Sequence, residues 1–356
     1  MNKLFLVFAV LSVVLLISCY DNSVNPIEIV PGSRNYSWTN DTLNQLAPYG
    51  GLYRLWGSSE NDVWACGSGG IFHYDGKSWQ EYYGMRWNLD CIYGSSKNDV
   101  WTFASGNYNG ANIWHYDGSS WKDLGLYSFT KIDGFLGVSD INGSAPNDIY
   151  AVGIFMFGKG GGGRKAVIIH YNGIKWEFFN SSDLKTNMFK ICYDEWKRKY
   201  YIEGEEEKWD TTGNVPINTE RTNKIYEFDG QNLKEIYSSK DVYISPTEVN
   251  GKVFFVCENK LLMYSNNSFQ VVEDFSSSPY TIGDIIGRSE KDLFLYSFSK
   301  NGSIWPRYIT HYNGSDLEPL YENKDIRGYK LIGNDIFIIA NNEAGQCVIS
   351  RGKLQK

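Results

Sequence analysis

Leu55-Trp56-Gly57-Ser58-Ser59-Glu60-Asn61-Asp62-Val63-Trp64-Ala65-Cys66-Gly67, followed by Ile71-Phe72-His73-Tyr74-Asp75-Gly76-Lys77-Ser78-Trp79, decides the fold. The pattern returns as Ile92-Tyr93-Gly94-Ser95-Ser96-Lys97-Asn98-Asp99-Val100-Trp101 and then Ile113-Trp114-His115-Tyr116-Asp117-Gly118-Ser119-Ser120-Trp121. Fainter copies follow at a period of roughly 35 to 55 residues. A unit of short strands that size cannot bury its apolar faces alone, but a radial stack of such units can. The expectation is an all-β chain, a seven-bladed β-propeller of four-stranded blades. Six blades is the alternative, because the fourth copy matches poorly. Blade limits fall near residues 51–86, 87–126, 130–180, 187–239, 242–276, 281–322 and 326–356.

Each copy reads as strands a to d. Strand a is apolar and ends in glycine, at Gly57, Gly94, Gly143, Gly287 and Gly333. Strand b opens with a β-branched or aliphatic residue and an aromatic one, as in Val63-Trp64, Val100-Trp101, Ile149-Tyr150, Leu293-Phe294 and Ile336-Phe337. Strand c carries the Ile-x-His-Tyr segment. An Asp-Gly or Asn-Gly pair follows, at residues 75–76, 117–118, 172–173, 229–230 and 313–314. Glycine tolerates positive φ there and the Asx side chain bonds its own backbone, which makes a tight turn. Strand d opens with Trp79, Trp121 or Trp176, weakening to Leu233, Phe269 and Leu317. A large apolar residue in a fixed slot suits packing between neighbouring blades. The last copy ends too soon to hold its own strand d. Residues 35–46, with Trp38 in the tryptophan slot, are expected to complete it and remove an open sheet edge.

These repeats resemble a family of bacterial secreted and lipoprotein propellers that carry W-G-S-S-x-x-D-V-W-A-V-G and H-Y-D-G-x-x-W, loosely akin to kelch and galactose-oxidase propellers. The resemblance implies the fold and no single activity. The Ser-x-Asp-x-Gly-x-x-Trp box of sialidase-like propellers is missing, since Asp and Gly are adjacent here.

The first residues have a different character. Lys3 precedes an apolar run from Leu4 to Ile17, too short to span a bilayer and fitting the h-region of a secretory signal. The run closes with Leu16-Ile17-Ser18-Cys19, which resembles the bacterial lipobox. That resemblance implies a signal peptide over residues 1–18 and lipidation of Cys19. Residues 19–34 are then expected to form a flexible, mostly polar tether ahead of the propeller at 35–356. A plain secretory signal or an uncleaved anchor is the other reading. With lipidation, several buried acyl chains would hold the protein stably on a membrane of the cell envelope, the outer membrane or cell surface first.

Formal net charge is -7 and no long basic run occurs, which argues against a nucleic-acid groove. The aromatic share of 16% fits half-buried strands. Beyond Cys19 stand Cys66, Cys91, Cys192, Cys257 and Cys347. Without a CxxC spacing and odd in number, they read as small buried thiols, with Cys66 and Cys257 in one repeat slot. All four histidines, His73, His115, His170 and His311, share one slot before an aromatic residue. Residues spread one per blade cannot converge on a substrate, so a structural role is expected and neither catalytic residue, metal nor cofactor is assigned. Phe157–Lys165 is rich in glycine but lacks the closing Gly-Lys-Ser/Thr of a phosphate loop.

The lengthened segments all fall between strands b and c: 105–111, 155–165, 204–223 and 299–307. In a propeller they share one rim, and loops that grow on one face commonly build a binding surface. Tyr108, Lys159, Arg164, Trp209, Trp305 and Arg307 are the candidate ligand-binding residues. The favoured function is a binding or scaffold module for a protein or glycan on this long-loop face. The alternatives are a carbohydrate-active enzyme of the envelope using carboxylates such as Glu205 and Asp210 with Tyr108, and a structural subunit of an envelope complex.

Overall fold

The structure, a computed structural model, describes residues 31–355 except 44–50, 83–87, 108–109, 129–132, 159–162, 180–183, 211, 213–216 and 301–304. The segment expected to be a signal peptide, Cys19, Tyr108 and Lys159 lie outside the described residues. Every regular element among the described residues is a strand, numbered β1 to β28. The first meander, β2–β5, occupies residues 52–81, and β6–β9 occupy 88–127. The next meanders are β10–β13 at 134–178, β14–β17 at 186–239, β18–β21 at 245–274 and β22–β25 at 280–323. The last is β26–β28 at 326–354, completed by β1, Tyr36–Thr42. Strand a of each meander touches strand a of the next, and β26 returns to β2, so the seven surround a central channel. One parallel bridge, Val249 to Gly287, joins the fifth and sixth meanders into an eight-stranded sheet.

Strand order within each meander fixes two faces. The b–c hairpins and d–a connections lie on one, here the hairpin face. The a–b and c–d turns lie on the other, the turn face. The lengthened hairpins of β7–β8, β11–β12, β15–β16 and β23–β24 all belong to the hairpin face.

The Trp-Gly-Ser-Ser motif has a packing cause. The Trp56 indole lies where a Cβ on Gly94 would stand, 2.6 Å away. In the same way the Tyr93 hydroxyl donates to the Gly143 carbonyl at 3.0 Å, and Ile332 lies 3.0 Å from a Cβ on Gly57. The inner strands of the first three blades therefore carry glycine near their ends to accept a side chain from the neighbouring blade. The seventh differs: Gly333, at φ +59°, sits in the a–b turn rather than at the strand end.

The outer slot is equally regular. Trp79, Trp121, Trp176, Leu233, Phe269 and Leu317 all face the strand-c residue after the histidine slot. Trp121 of the second blade packs edge-on against Trp64 of the first, ring centroids 5.3 Å apart. Trp176 of the third meets Trp101 of the second at 5.4 Å. Aromatic rings cement the blades side by side.

β1 pairs with β28 (Cys347–Leu354) from Tyr36–Leu354 to Thr42–Val348, and Trp38 stands opposite Gly352 in the tryptophan slot. One expectation needs correction. The tether was expected to run to residue 34, but its last residues are docked on the sixth blade. The Gly32 amide donates to the Lys291 carbonyl at 2.9 Å, and Arg34 donates to the His311 and Asp316 carbonyls, each at 2.8 Å. Proximity of β1 to the sixth blade brings this segment over its turns.

Cys66, Cys91, Cys192 and Cys347 are buried and unpaired with one another, and Cys257 is half-buried. Cys257 does not share the Cys66 slot: Val256 does, one residue earlier, and a one-residue step turns a side chain to the opposite face. Burial pushes the thiols of Cys66 and Cys192 up to about 12. Since the thiolate reacts, a thiol reagent should modify Cys257 in the native protein and spare those four until denaturant is added. Mass mapping that finds Cys66 or Cys192 labelled at the same rate would contradict this packing.

Candidate functional site

The repeat histidines form latches on the turn face. His73 Nε2 lies 2.6 Å from Asp62 Oδ1, His115 Nε2 lies 2.7 Å from Asp99, His170 Nε2 lies 2.8 Å from Asp148 and His311 Nε2 lies 2.7 Å from Asp292. Each imidazole stacks on the strand-b aromatic: Trp64 at 4.1 Å, Trp101 at 3.9 Å and Tyr150 at 4.2 Å, with Phe294 tilted at 4.6 Å. Ser58, Ser95 and Ser144 donate to the other carboxylate oxygen. The hydroxyl thus bonds the acid and not the imidazole. A nucleophilic triad needs the base between the two, so this order gives no activated serine.

Two blades keep the latch with other residues. In the fourth the charges are exchanged: Lys199 holds the aspartate position and Glu227 the histidine position, 2.7 Å apart. In the seventh Arg351 replaces histidine and grips Asp335 at 2.6 Å. Burial alone would raise the carboxyls of Asp62, Asp99 and Asp292. Hydrogen bonds from the partnering histidines, with Ser58, Ser95 and Arg288, more than offset it and hold all three below the usual carboxylate range.

The channel is chemically different. It forms a cavity of about 1130 Å³ lined mainly by the inner strands. A β-bulge recurs in six of those strands, between Leu52/Arg54, Leu89/Cys91, Val138/Asp140, Met188/Lys190, Ile282/Asp284 and Ile326/Gly328. A bulge re-aims the residues beside it. The position after it holds Arg54, Cys91, Asp140, Lys190, Asp284 and Gly328 in order around the ring, and its four charged members alternate in sign. The Lys190 ammonium reaches Asp284 at 3.2 Å, and the Tyr329 hydroxyl reaches the same carboxylate at 3.4 Å. Burial would depress the Lys190 amine, but the facing Asp284 prevails and raises it. Burial raises the carboxyls of Asp140 and Glu203. Glu203 accepts from Ser245 at 2.5 Å and from the Tyr243 hydroxyl. The side chains of Glu248 and Lys330, also on the wall, have no hydrogen bond or ion pair to a described residue. Phe189 and Tyr243, toward the hairpin face, are 37% and 57% exposed.

The sequence-predicted residues divide into two pairs. Arg164 of the third blade ion-pairs with Glu207 of the fourth at 3.0 Å and stacks over Trp209 at 4.4 Å. These side chains join neighbouring hairpins. Arg307 stacks on Trp305 at 4.3 Å, donates to the Ile326 carbonyl at 3.1 Å and lines the channel. Of the candidate carboxylates, Glu205 lies 3.7 Å from Arg221, while Asp210 is exposed and accepts from the Thr212 amide. Neither reaches the channel wall. Phe189, Tyr243 and the post-bulge charges were missed, because the inner strands differ at these positions from blade to blade and no repeat marks them.

No family model and no curated protein matches the sequence. Solved structures do match. YCF48 bound to D1 peptide aligns with 92% of this chain and 100% of its own at a TM-score of 0.55 and 10% identity. The β-propeller domain of the Trilobed protease from Pyrococcus furiosus, described as having an open velcro topology, aligns with 86% of this chain and 97% of its own at 0.54 and 9% identity. The extracellular domain of a putative hybrid two component system, BT4673 from B. thetaiotaomicron, aligns with 88% of this chain and 40% of its own at 0.53 and 14% identity. At such identities the likeness is one of fold, and the chain is a β-propeller.

Proposed function

We propose that the chain is a lipid-anchored, extracytoplasmic binding module of the bacterial cell envelope that captures an extended segment of a partner protein at the hairpin-face mouth of its channel. The observation that carries this reading is the channel wall itself. It offers cations, carboxylates and aromatic rings together, with Phe189, Tyr243, Glu248 and Lys330 open to a ligand. A polypeptide presents donors, acceptors and side chains of both signs, which suits such a wall. YCF48, bound to D1 peptide, supports the reading at the level of fold. The lipobox-like Cys19 and the likeness of the repeats to bacterial secreted propellers support the anchor and the location outside the cytoplasm.

A peptide array tests this. Selected peptides should bind the wild-type chain, and the double variant Phe189→Ala, Trp305→Ala should weaken binding about tenfold, the usual effect of removing aromatic anchors. Both side chains are partly exposed, so the variant should keep its thermal midpoint. Peptide binding that the variant leaves unchanged would move the site elsewhere.

One observation favours a second reading. Glu203 and Asp140 are channel carboxyls raised by burial, a state suited to proton donation in a carbohydrate-active enzyme. Chain cleavage in a polysaccharide panel, abolished by Glu203→Gln, would establish it over peptide capture.

A further inference from the structure

We infer that the turn face is held against the lipid bilayer, so that the channel mouth on the hairpin face opens away from the membrane. The inference rests on the reading of Cys19 as the lipid anchor. Its first observation is where the chain joins the ring. Gly32 is bonded to Lys291 in the a–b turn of the sixth blade. Arg34 is bonded in its c–d turn, pairing with Asp316 at 2.7 Å and Glu318 at 3.3 Å. β1 then starts at the same face, with Tyr36 opposite Leu354. The path from the anchor therefore arrives at the turns and is fastened there.

Length makes this decisive. From residue 19 to residue 31 the chain can span at most roughly 40 Å. The longest hairpin, β15 (Lys199–Asp210) with β16 (Ile217–Phe228), rises roughly 40 Å from turn face to tip. Laying the hairpin face on a bilayer would require the tether to climb the full height of the ring, with nothing left to reach the lipid. Laying the turn face there requires no climb.

A second observation comes from the far side of the same face. Ile174 and Trp196 are 88% and 69% exposed, the highest values among the described exposed large apolar side chains. Both sit in turn-face turns, of the third and fourth blades, across the ring from the point where the chain enters. Basic groups accompany them: Lys175, Lys197 and Arg198 in the same turns, and Lys252, whose ammonium lies 4.9 Å over the Trp196 ring. Lys175, Lys197 and Lys252 also pair with Glu177, Asp194 and Glu290, and an exposed tryptophan beside lysine and arginine is suited to the headgroup layer of a bilayer. The anchor and this patch would support opposite sides of one face.

The test uses the full lipidated chain reconstituted in phosphatidylglycerol-containing vesicles that carry a headgroup energy acceptor. Cys257→Ser removes the accessible thiol. A donor dye is placed through Lys77→Cys, in a turn-face turn, or through Lys324→Cys, in the hairpin-face connection between the last two blades. Transfer should be greater from position 77 than from position 324. Equal transfer, or greater transfer from 324, in protein that sediments with the vesicles overturns the orientation alone. Protein that fails to associate with membranes, and behaves no differently as Cys19→Ala, overturns the anchor reading and the orientation with it.

Discussion

Deleting residues 31–43 should leave a chain that no longer folds to a soluble monomer. The deletion removes β1 and with it the outer strand of the seventh blade. Tyr36 and Trp38 are lost from the cluster of Phe294, Ile336 and Tyr321, in which Trp38 and Tyr321 stand 5.4 Å apart. Full burial of such a ring contributes roughly 1.5–3 kcal/mol, and these half-buried ones a share of that each. The hydrogen-bonding edge of β28 is uncovered as well, a template for association with another chain. Arg288 loses its bond to the Tyr36 hydroxyl, and the sixth blade loses Arg34. The summed cost approaches the whole stability of an ordinary domain, about 5–15 kcal/mol. Size-exclusion chromatography and near-ultraviolet circular dichroism should report aggregation and loss of fixed aromatic packing. A permutant carrying residues 31–43 after Lys356 through a flexible linker should recover both. A deletion variant as stable as the intact chain would show that β1 does not close the ring.

Asp292→Ala should be the most damaging single change among the latch residues. Its carboxylate holds the wholly buried His311 at 2.7 Å through Oδ1 and Arg288 at 2.8 Å through Oδ2. Removing one partner from such a cluster leaves polar and cationic groups uncompensated, at about 3–5 kcal/mol. Asp99→Ala, whose carboxylate side chain is 23% exposed, should cost only about 1–2 kcal/mol because water reaches the histidine left behind. The pH dependence follows from the lowered carboxyls. A group whose folded pKa is depressed contributes in full above its unfolded value, near 3.8, and loses that contribution as pH falls through the folded value. The wild type should therefore weaken steadily on acidification through that window, and Asp292→Asn should flatten the slope. Chemical denaturation at stepped pH measures both. Equal losses for Asp292→Ala and Asp99→Ala would contradict the burial argument.

Legibility in the sequence followed repetition. The Asp-Gly turns, the tryptophan slot and the placement of Trp38 could be read because the same side chain does the same packing in each blade. The fourth blade looked weak for the same reason. Its Lys199–Glu227 pair keeps the latch chemistry while exchanging the residues, so a pattern of names misses it. The channel was invisible because Arg54, Asp140, Lys190 and Asp284 place three different side chains in one position and depend on a bulge that no motif marks. Arg164 and Trp209 were read onto neighbouring hairpins, but their attraction for each other could only be seen once both hairpins were built. The docking of Gly32 and Arg34 hinges on turns almost 300 residues further along the chain.

Site-specific photo-crosslinking tests the proposed function most directly. A photoreactive residue replaces Phe189 at the channel mouth or Asn98 in a turn-face turn, in chains mixed with array-selected peptides. Crosslinks should form from position 189, be competed away by excess unlabelled peptide, and be missing from position 98. Peptide attached from position 98 and not from 189 would contradict capture at the hairpin-face mouth.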